Sequence, residues 1–333
     1  MTSPRALVLS VLLLAPVSVP AEPVAVPLKG APEVWIMPPP WPGNGEPLRQ
    51  MLRRPEEWEQ TRRSVRGIGY WPWLLNQHFR DDDIRALFAG LKAWNLELGF
   101  ELPVLKAANW GGDGKPLDAR GAFDQMQRFA VRFKPLGMPQ AAWFAFDEPL
   151  YSARHVLPST MSPAERMARG VVETVAFIGM MRRAYPRSCL GLIEPFPALT
   201  FSELIDGVES VQWTCGQQGI QGLDFLRLDV DWDRMERARE ASWAEVKRIE
   251  DVCRSHGLAF SLIYWSADEP RLKQSTPDTW RKGILKQKTV YAEAGGAPDQ
   301  IVIESWLHVP ASAVPESDPD TFTGSVLEFI QKP

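Results

Sequence analysis

Eight short apolar runs divide this chain, and amphipathic stretches of helix length separate them. The runs are EVWIMPPPW (33–41), SVRGIGYWPW (64–73), NLELGFELP (95–103), QAAWFAFDEPL (140–150), CLGLIEPFP (189–197), LDFLRLDVDW (223–232), LAFSLIYWS (258–266) and QIVIESWLHVP (300–310). Strands that alternate with helices build a parallel sheet, because each connection must cross back over the sheet face. Eight such units in succession predict a closed α/β barrel, the (β/α)8 or TIM-barrel arrangement. In that arrangement chemistry sits on the loops that follow the C-terminal strand ends. Glu101, Asp147, Glu148, Glu194, Asp229 and Glu304 all fall at or near those ends.

A buried strand can end harmlessly in Thr or Gly. Ending so many in acids predicts an acidic pocket, and the tryptophans supply its wall. Of the 14 in the chain, Trp35, Trp41, Trp71, Trp73, Trp110, Trp232, Trp265 and Trp306 lie at strand ends or in the loops after them. Each can serve as core or as cleft lining. An acidic, aromatic-walled pocket points towards sugar chemistry, since the apolar face of an indole matches the C–H face of a pyranose.

At 333 residues the chain fits one barrel of about 250 residues plus loop insertions. Lys and Arg total 37 against 41 Asp and Glu, which argues against nucleic acid as partner. Residues 1–21 read as a secretory signal: Arg5 supplies positive charge, ALVLSVLLL (6–14) is a short apolar core, and Val19 and Ala21 offer a cleavage site before Glu22. That core is too short to span a bilayer, so no stable membrane insertion is expected after cleavage. The mature chain, 22–333, is then a single barrel domain that is secreted or periplasmic. Cys189, Cys215 and Cys253 match no metal spacing and read as buried free thiols.

Between the runs, 47–63 suits a helix, Asp81 to Asp83 open another with acids in its first turn, and a further helix spans about 118–134. Ser162, Pro163 and Glu165 form a capping box. Residues 197–219 are the least clear helix, 233–255 are charged and amphipathic, and 275–294 and 321–332 supply the last two.

The sharpest chemical element is Asp147-Glu148-Pro149. Pro149 steers Glu148 away from right-handed helix, so an extended strand tip carrying a projecting carboxylate is expected. Crowding by Trp143 and Phe146, with Asp147 beside it, should give Glu148 the higher pKa of a carboxyl pair. Glu194-Pro195 repeats the pattern one strand along, close enough for the roughly 5–5.5 Å of a retaining pair. Asp229 lies two strands away and suits the roughly 6.5–9.5 Å of an inverting pair.

Through Glu148-Pro149 at the end of the fourth run, the sequence resembles the clan of TIM-barrel glycoside hydrolases whose acid/base Glu follows the fourth strand in an Asn-Glu-Pro motif. The resemblance implies general acid/base work for Glu148. Asp147 replaces the Asn that in the clan contacts the sugar 2-hydroxyl. The clan's nucleophilic Glu ends the seventh strand, where this chain has Tyr264-Trp265-Ser266, with Glu269 beyond.

The expected activity is hydrolysis of an O-glycosidic bond in an oligo- or polysaccharide, with Glu148 as general acid and Glu194 or Asp229 as base or nucleophile. Trp35, Trp110, Tyr264 and Trp306 are candidate stacking platforms, and Glu101, Asp147 and Glu304 complete the polar wall. No cofactor is expected: no Gly-rich fingerprint follows a strand, and the four histidines show no zinc spacing. Two rivals stay open. One is a non-catalytic saccharide-binding barrel; the other is a metal-assisted hydrolase or lyase with Mg or Ca on Glu194, Asp229 and Glu304.

Overall fold

Each apolar run forms one parallel strand, and the eight pair in chain order until the last closes on the first. The computed structural model describes residues 32–106, 117–266 and 275–332. Residues 1–21, read above as a secretory signal, together with Trp110 and Glu269, lie outside them. The strands are β1 (Glu33–Met37), β2 (Gly67–Tyr70), β3 (Glu97–Pro103), β4 (Ala141–Asp147), β5 (Cys189–Phe196), β6 (Phe225–Val230), β7 (Ala259–Tyr264) and β8 (Gln300–Glu304). The helices are α1 (Glu46–Arg53), α2 (Glu59–Ser64), α3 (Pro72–His78), α4 (Asp81–Trp94), α5 (Ala119–Phe133), α6 (Pro149–Val156), α7 (Pro163–Ala184), α8 (Phe201–Gln217), α9 (Trp243–Ser255), α10 (Pro277–Glu293) and α11 (Phe322–Gln331). The architecture is the closed (β/α)8 barrel that the eight runs predict.

Side chains alternate across a strand, so each run divides into an inward and an outward set. On β4, Phe144 and Phe146 face the helices and pack on Tyr185 and Phe177 with ring centres 4.8 Å apart in both pairs. Trp143 faces inward and meets Trp35 of β1 edge-on at 5.3 Å. With Phe225 of β6 these rings fill the lower barrel. They fit because the facing positions lack side chains: a Cβ on Gly99 would stand 2.1 Å from the Trp143 ring, and one on Gly191 2.3 Å from Phe225. Replacing such a buried ring by Ala costs about 3–5 kcal/mol.

Arg227 of β6 sits on this aromatic floor. Its guanidinium lies 4.1 Å above the Trp143 ring and donates to Ser261 and Gln300. The guanidinium is thus desolvated yet held on one side by aromatic faces and on the other by neutral acceptors.

The helices differ from expectation in three places. The 47–63 stretch breaks at Arg54, where Pro55 opens a short 3-10 turn ahead of α2. The 233–255 stretch is a wide π-turn over Asp233–Ala238 followed by α9, whose capping box of Ser242 and Glu245 makes it a separate helix. Finally, α6 starts directly after β4 with no loop between. The capping box at Ser162 and the acidic first turn of α4 stand as expected.

Candidate functional site

At the C-terminal mouth of the barrel lies a cavity of about 400 Å³. Four strand ends bring carboxyl groups to it: Glu101 from β3, Asp147 and the following Glu148 from β4, Asp229 from β6, and Glu304 from β8. The aromatic wall is Trp41, Trp71, Trp73 and Trp306. Trp41 packs on Trp73 with ring centres 5.9 Å apart, and Trp306 packs on Trp265 at 4.9 Å. Two indoles also hold acids in place. Trp71 Nε1 donates to Glu101 at 2.7 Å, and Trp265 Nε1 donates to Asp229.

Glu148 reaches the cavity by an unexpected backbone route. Its φ of 53° and ψ of 41° are left-handed, not extended. Pro149 forbids the right-handed helical conformation before it, and α6 begins at Pro149 itself. With no loop to make the turn, the left-handed region makes it, at a cost on the order of 1–2 kcal/mol. Glu148 N–H donates to the Ile193 carbonyl at 2.8 Å, tying the turn to β5. The Glu148 side chain caps nothing and instead meets Lys106 Nζ at 3.1 Å. Lys106 also pairs with Asp147.

Glu194 has the opposite fate. Its two oxygens accept from Leu150 N at 2.8 Å and Tyr151 N at 3.1 Å, the first free N–H groups of α6 after Pro149. Glu194 is fully buried beneath that helix and contributes nothing to the cavity wall. The expectation that it partners Glu148 across a cleft is therefore corrected. On β5 the inward residue is Ile193, which lines the cavity, and Glu194 follows it outward by the strand's alternation.

Burial pushes the Asp229 carboxyl up to about 7, with Glu148 adding repulsion and the Trp265 bond and Lys106 opposing. Burial likewise lifts Glu304 to about 8, helped by Asp229 and opposed by Arg227. Glu101 is held well above the carboxylate range by burial, then by Glu304 and Asp147. Glu148 is raised by burial and by Asp147, but the Lys106 ammonium opposes both. For Lys106 burial alone would lower the pKa, yet Asp147, Glu148 and Glu101 hold it above its ordinary value. It is a fixed ammonium rather than a neutral amine nucleophile.

Two of the expected platforms face elsewhere. Trp35 is buried in the barrel floor against Trp143, because its position on β1 is inward but below the mouth. Tyr264 is an outward residue of β7 and packs on Phe329 of α11 at 4.9 Å. Trp306 lines the cavity, and Trp110 is outside the described residues. Among the described residues, no group of three or more His, Cys, Asp or Glu is arranged to hold a metal ion. The Glu194, Asp229, Glu304 set is not brought together, since Glu194 lies under α6.

Sequence reasoning missed Lys106 and Arg227. Arg227 was legible: it precedes Asp229 by two in an apolar run, so both face the interior. Lys106 follows β3 by three residues in irregular chain, where no periodicity applies.

A second cavity of about 400 Å³ opens at the opposite, strand-start end, lined by Trp35, Trp143, Phe225 and charged side chains. Several of its charges are engaged in the fold: Asp224 pairs with Arg182 at 2.8 Å, and Arg66 pairs with Glu97. Asp224 also accepts from Leu190 N at 2.7 Å.

No family model matches the chain, and no curated protein does. Solved structures do. A psychrophilic glycoside hydrolase family 10 endo-beta-1,4-xylanase superposes with a TM-score of 0.52 at 12% identity, over 83% of this chain and 87% of its own. A thermostable mutant of a xylanase from Cellvibrio japonicus gives 0.52 at 12%, over 90% and 98%. A native xylanase from the same organism gives 0.52 at 11%, over 91% of this chain and 66% of its own. The likeness is one of fold: a (β/α)8 barrel resembling the family 10 type of carbohydrate-active hydrolase.

Proposed function

We propose that this protein is an exported glycoside hydrolase that cleaves an O-glycosidic bond between Glu148 and Asp229. The observation that carries the reading is the placement of these two carboxyl groups, two strands apart, in one tryptophan-walled cavity. Strands two apart in a sheet lie about 10 Å from each other, which leaves room for a water beside the sugar and favours inversion. The electrostatics reverse the roles expected from the motif. Lys106 at 3.1 Å opposes the rise that burial gives the Glu148 carboxyl, an ion pair that supports the ionised form a base needs. Asp229, pushed up to about 7, keeps the proton that a leaving group needs at neutral pH. Trp41, Trp71, Trp73 and Trp306 would hold the sugar rings, and Lys106 and Asp147 would hold hydroxyls.

A glycan panel with wild type, Glu148→Gln and Asp229→Asn tests the reading. Both variants should lose about 10²–10⁴-fold in turnover on natural glycans. On nitrophenyl glycosides, whose leaving group needs no proton, Asp229→Asn should keep much of its rate and Glu148→Gln should not. The reverse pattern would return the acid to Glu148. Saccharide binding without turnover in wild type would leave a non-catalytic binding barrel, a role that the tight Lys106–Glu148 pair also suits. Export rests on residues 1–21, and the mature protein should begin near Glu22.

A further inference from the structure

The charge at this site is out of balance, and the imbalance selects a ligand. Among the described residues the wall carries the carboxyl groups of Glu101, Asp147, Glu148, Asp229 and Glu304, with Lys106 as its cation. Lys106 is committed to Asp147 and Glu148. Glu101 and Asp229 each receive one indole N–H, a neutral donor, and feel Lys106 without a direct ion pair to it among the described residues. Glu304 is 3% exposed, lines the cavity, and its Oε2 has no hydrogen-bond partner among the described residues. A buried carboxyl oxygen without a donor is costly unless something else supplies one.

We infer that the cleft takes a glycan containing free, positively charged amino sugars, a de-N-acetylated hexosamine unit whose ammonium binds between Glu304, Glu101 and Asp229. This rests on the glycosidase reading and narrows it to one substrate class. An ammonium brings three donors, one of them to the unpartnered Glu304 Oε2, and a positive charge to a wall of five carboxyl groups and one ammonium. The tryptophan faces add cation–π attraction in the same direction. A neutral hexose offers hydroxyl donors but no charge, and an N-acetyl group offers one N–H with added bulk. A uronic acid would meet repulsion from every carboxylate present.

The inference has a proton signature. The groups that face Glu304 electrostatically are Asp229, Asp147, Glu101, Arg227 and Lys106. Glu304 at about 8 and Asp229 at about 7 hold protons near neutrality because burial disfavours their charged forms and neighbouring carboxyl groups add repulsion. An arriving ammonium favours their ionised forms, so binding expels protons into the buffer.

The experiment is calorimetric titration of the wild-type protein at pH 7 in two buffers of different ionisation heat. The probes are β-1,4 and β-1,6 glucosamine oligomers, their N-acetylated counterparts, a glucose oligomer of equal length, and a tri-lysine peptide. One glucosamine series should bind at least about 10-fold tighter than its N-acetylated and glucose counterparts, with net proton release. Glu304→Gln, which copies the protonated carboxyl in shape, should weaken the glucosamine series far more than the glucose oligomer and so erase most of that preference. A thermal melt checks that the variant is folded. Equal or tighter binding of the neutral oligomers overturns the inference while leaving the glycosidase reading standing. A Glu304→Gln loss shared by all probes, or tri-lysine binding as tightly as the amino sugar, also overturns it. If no saccharide binds, both readings fall.

Discussion

Two neighbouring strands of this barrel carry the same dipeptide near their C-terminal ends, and the two do different work. Glu148-Pro149 closes β4 and Glu194-Pro195 lies in β5. Glu148 stands one residue past an inward position, and a left-handed turn swings it back to the cavity. Glu194 stands at an outward position of a continuing strand, and its carboxyl goes to the helix layer. The second makes the first possible. Because Glu194 satisfies the first N–H groups of α6, Glu148 is released from the capping role its position would otherwise assign it. A motif thus specifies chemistry only together with the phase of its strand.

The largest test of this division is kinetic. Glu148→Gln should cost about 10²–10⁴-fold in turnover on a verified glycan with an unchanged melting temperature. A stability loss without an activity loss would mean that the two glutamates had exchanged roles.

The next test uses pH. Asp229 and Glu304 have carboxyl pKa values raised on folding, so the folded chain binds their protons more tightly than the unfolded chain. Stability should therefore be greatest at low pH within the folded range and fall as pH climbs from about 4 through 7 and 8. For Asp229 the cost at high pH is on the order of 4 kcal/mol. Urea unfolding of Asp229→Asn at pH 5 and pH 9 should show a clearly shallower slope, with the share of Glu304 and Glu101 remaining and the variant more stable than wild type at pH 9. An undiminished slope would place the strain elsewhere.

Glu194 offers the converse. Removing its side chain leaves two buried N–H groups of α6 without acceptors, a loss of about 3 kcal/mol. Glu194→Ala should lower the melting temperature clearly, and turnover should fall only in so far as the Glu148 turn loosens. Loss of turnover at full stability would restore Glu194 as a direct participant.

Much of this was legible in the sequence, and the exceptions share a cause. All eight strands lie inside the apolar runs, and the acids at their ends converge as barrel geometry requires. What failed was phase. Tyr264 and Glu194 were read as strand-end residues, yet counting in twos from the inward Ser261 and Ile193 puts both on the helix side. Trp35 failed on height: it is inward but only two positions from Glu33 at the strand-start end and below the mouth, among rings that Gly99 makes room for. Glu148 failed on the backbone, because Pro149 excludes one conformation and leaves two. The choice between them depended on α6, a helix of eight residues with no apolar periodicity strong enough to announce it. Lys106 lies beyond any periodic element, so only the folded chain places it between Asp147 and Glu148.

The smallest effect sharpens the same distinction between residues that face the cavity and residues that face the helices. Trp306 and Tyr264 are both aromatic and both follow or end a late strand, and the sequence treats them alike. Trp306 is half-buried on the cavity wall, with its ring against Trp265, the indole that donates to Asp229. Trp306→Ala removes a stacking face and unbraces Trp265, so saccharide affinity should weaken about 10-fold, the amount that a lost aromatic contact of up to about 1.5 kcal/mol implies. Because Asp229 loses some restraint, the limb of the pH–rate profile that reports it should move as well. Tyr264→Phe keeps the ring that packs on Phe329 and should leave affinity and profile unchanged. Calorimetric titration of both variants with one bound glycan decides the matter, and equal losses would put Tyr264 back at the cleft.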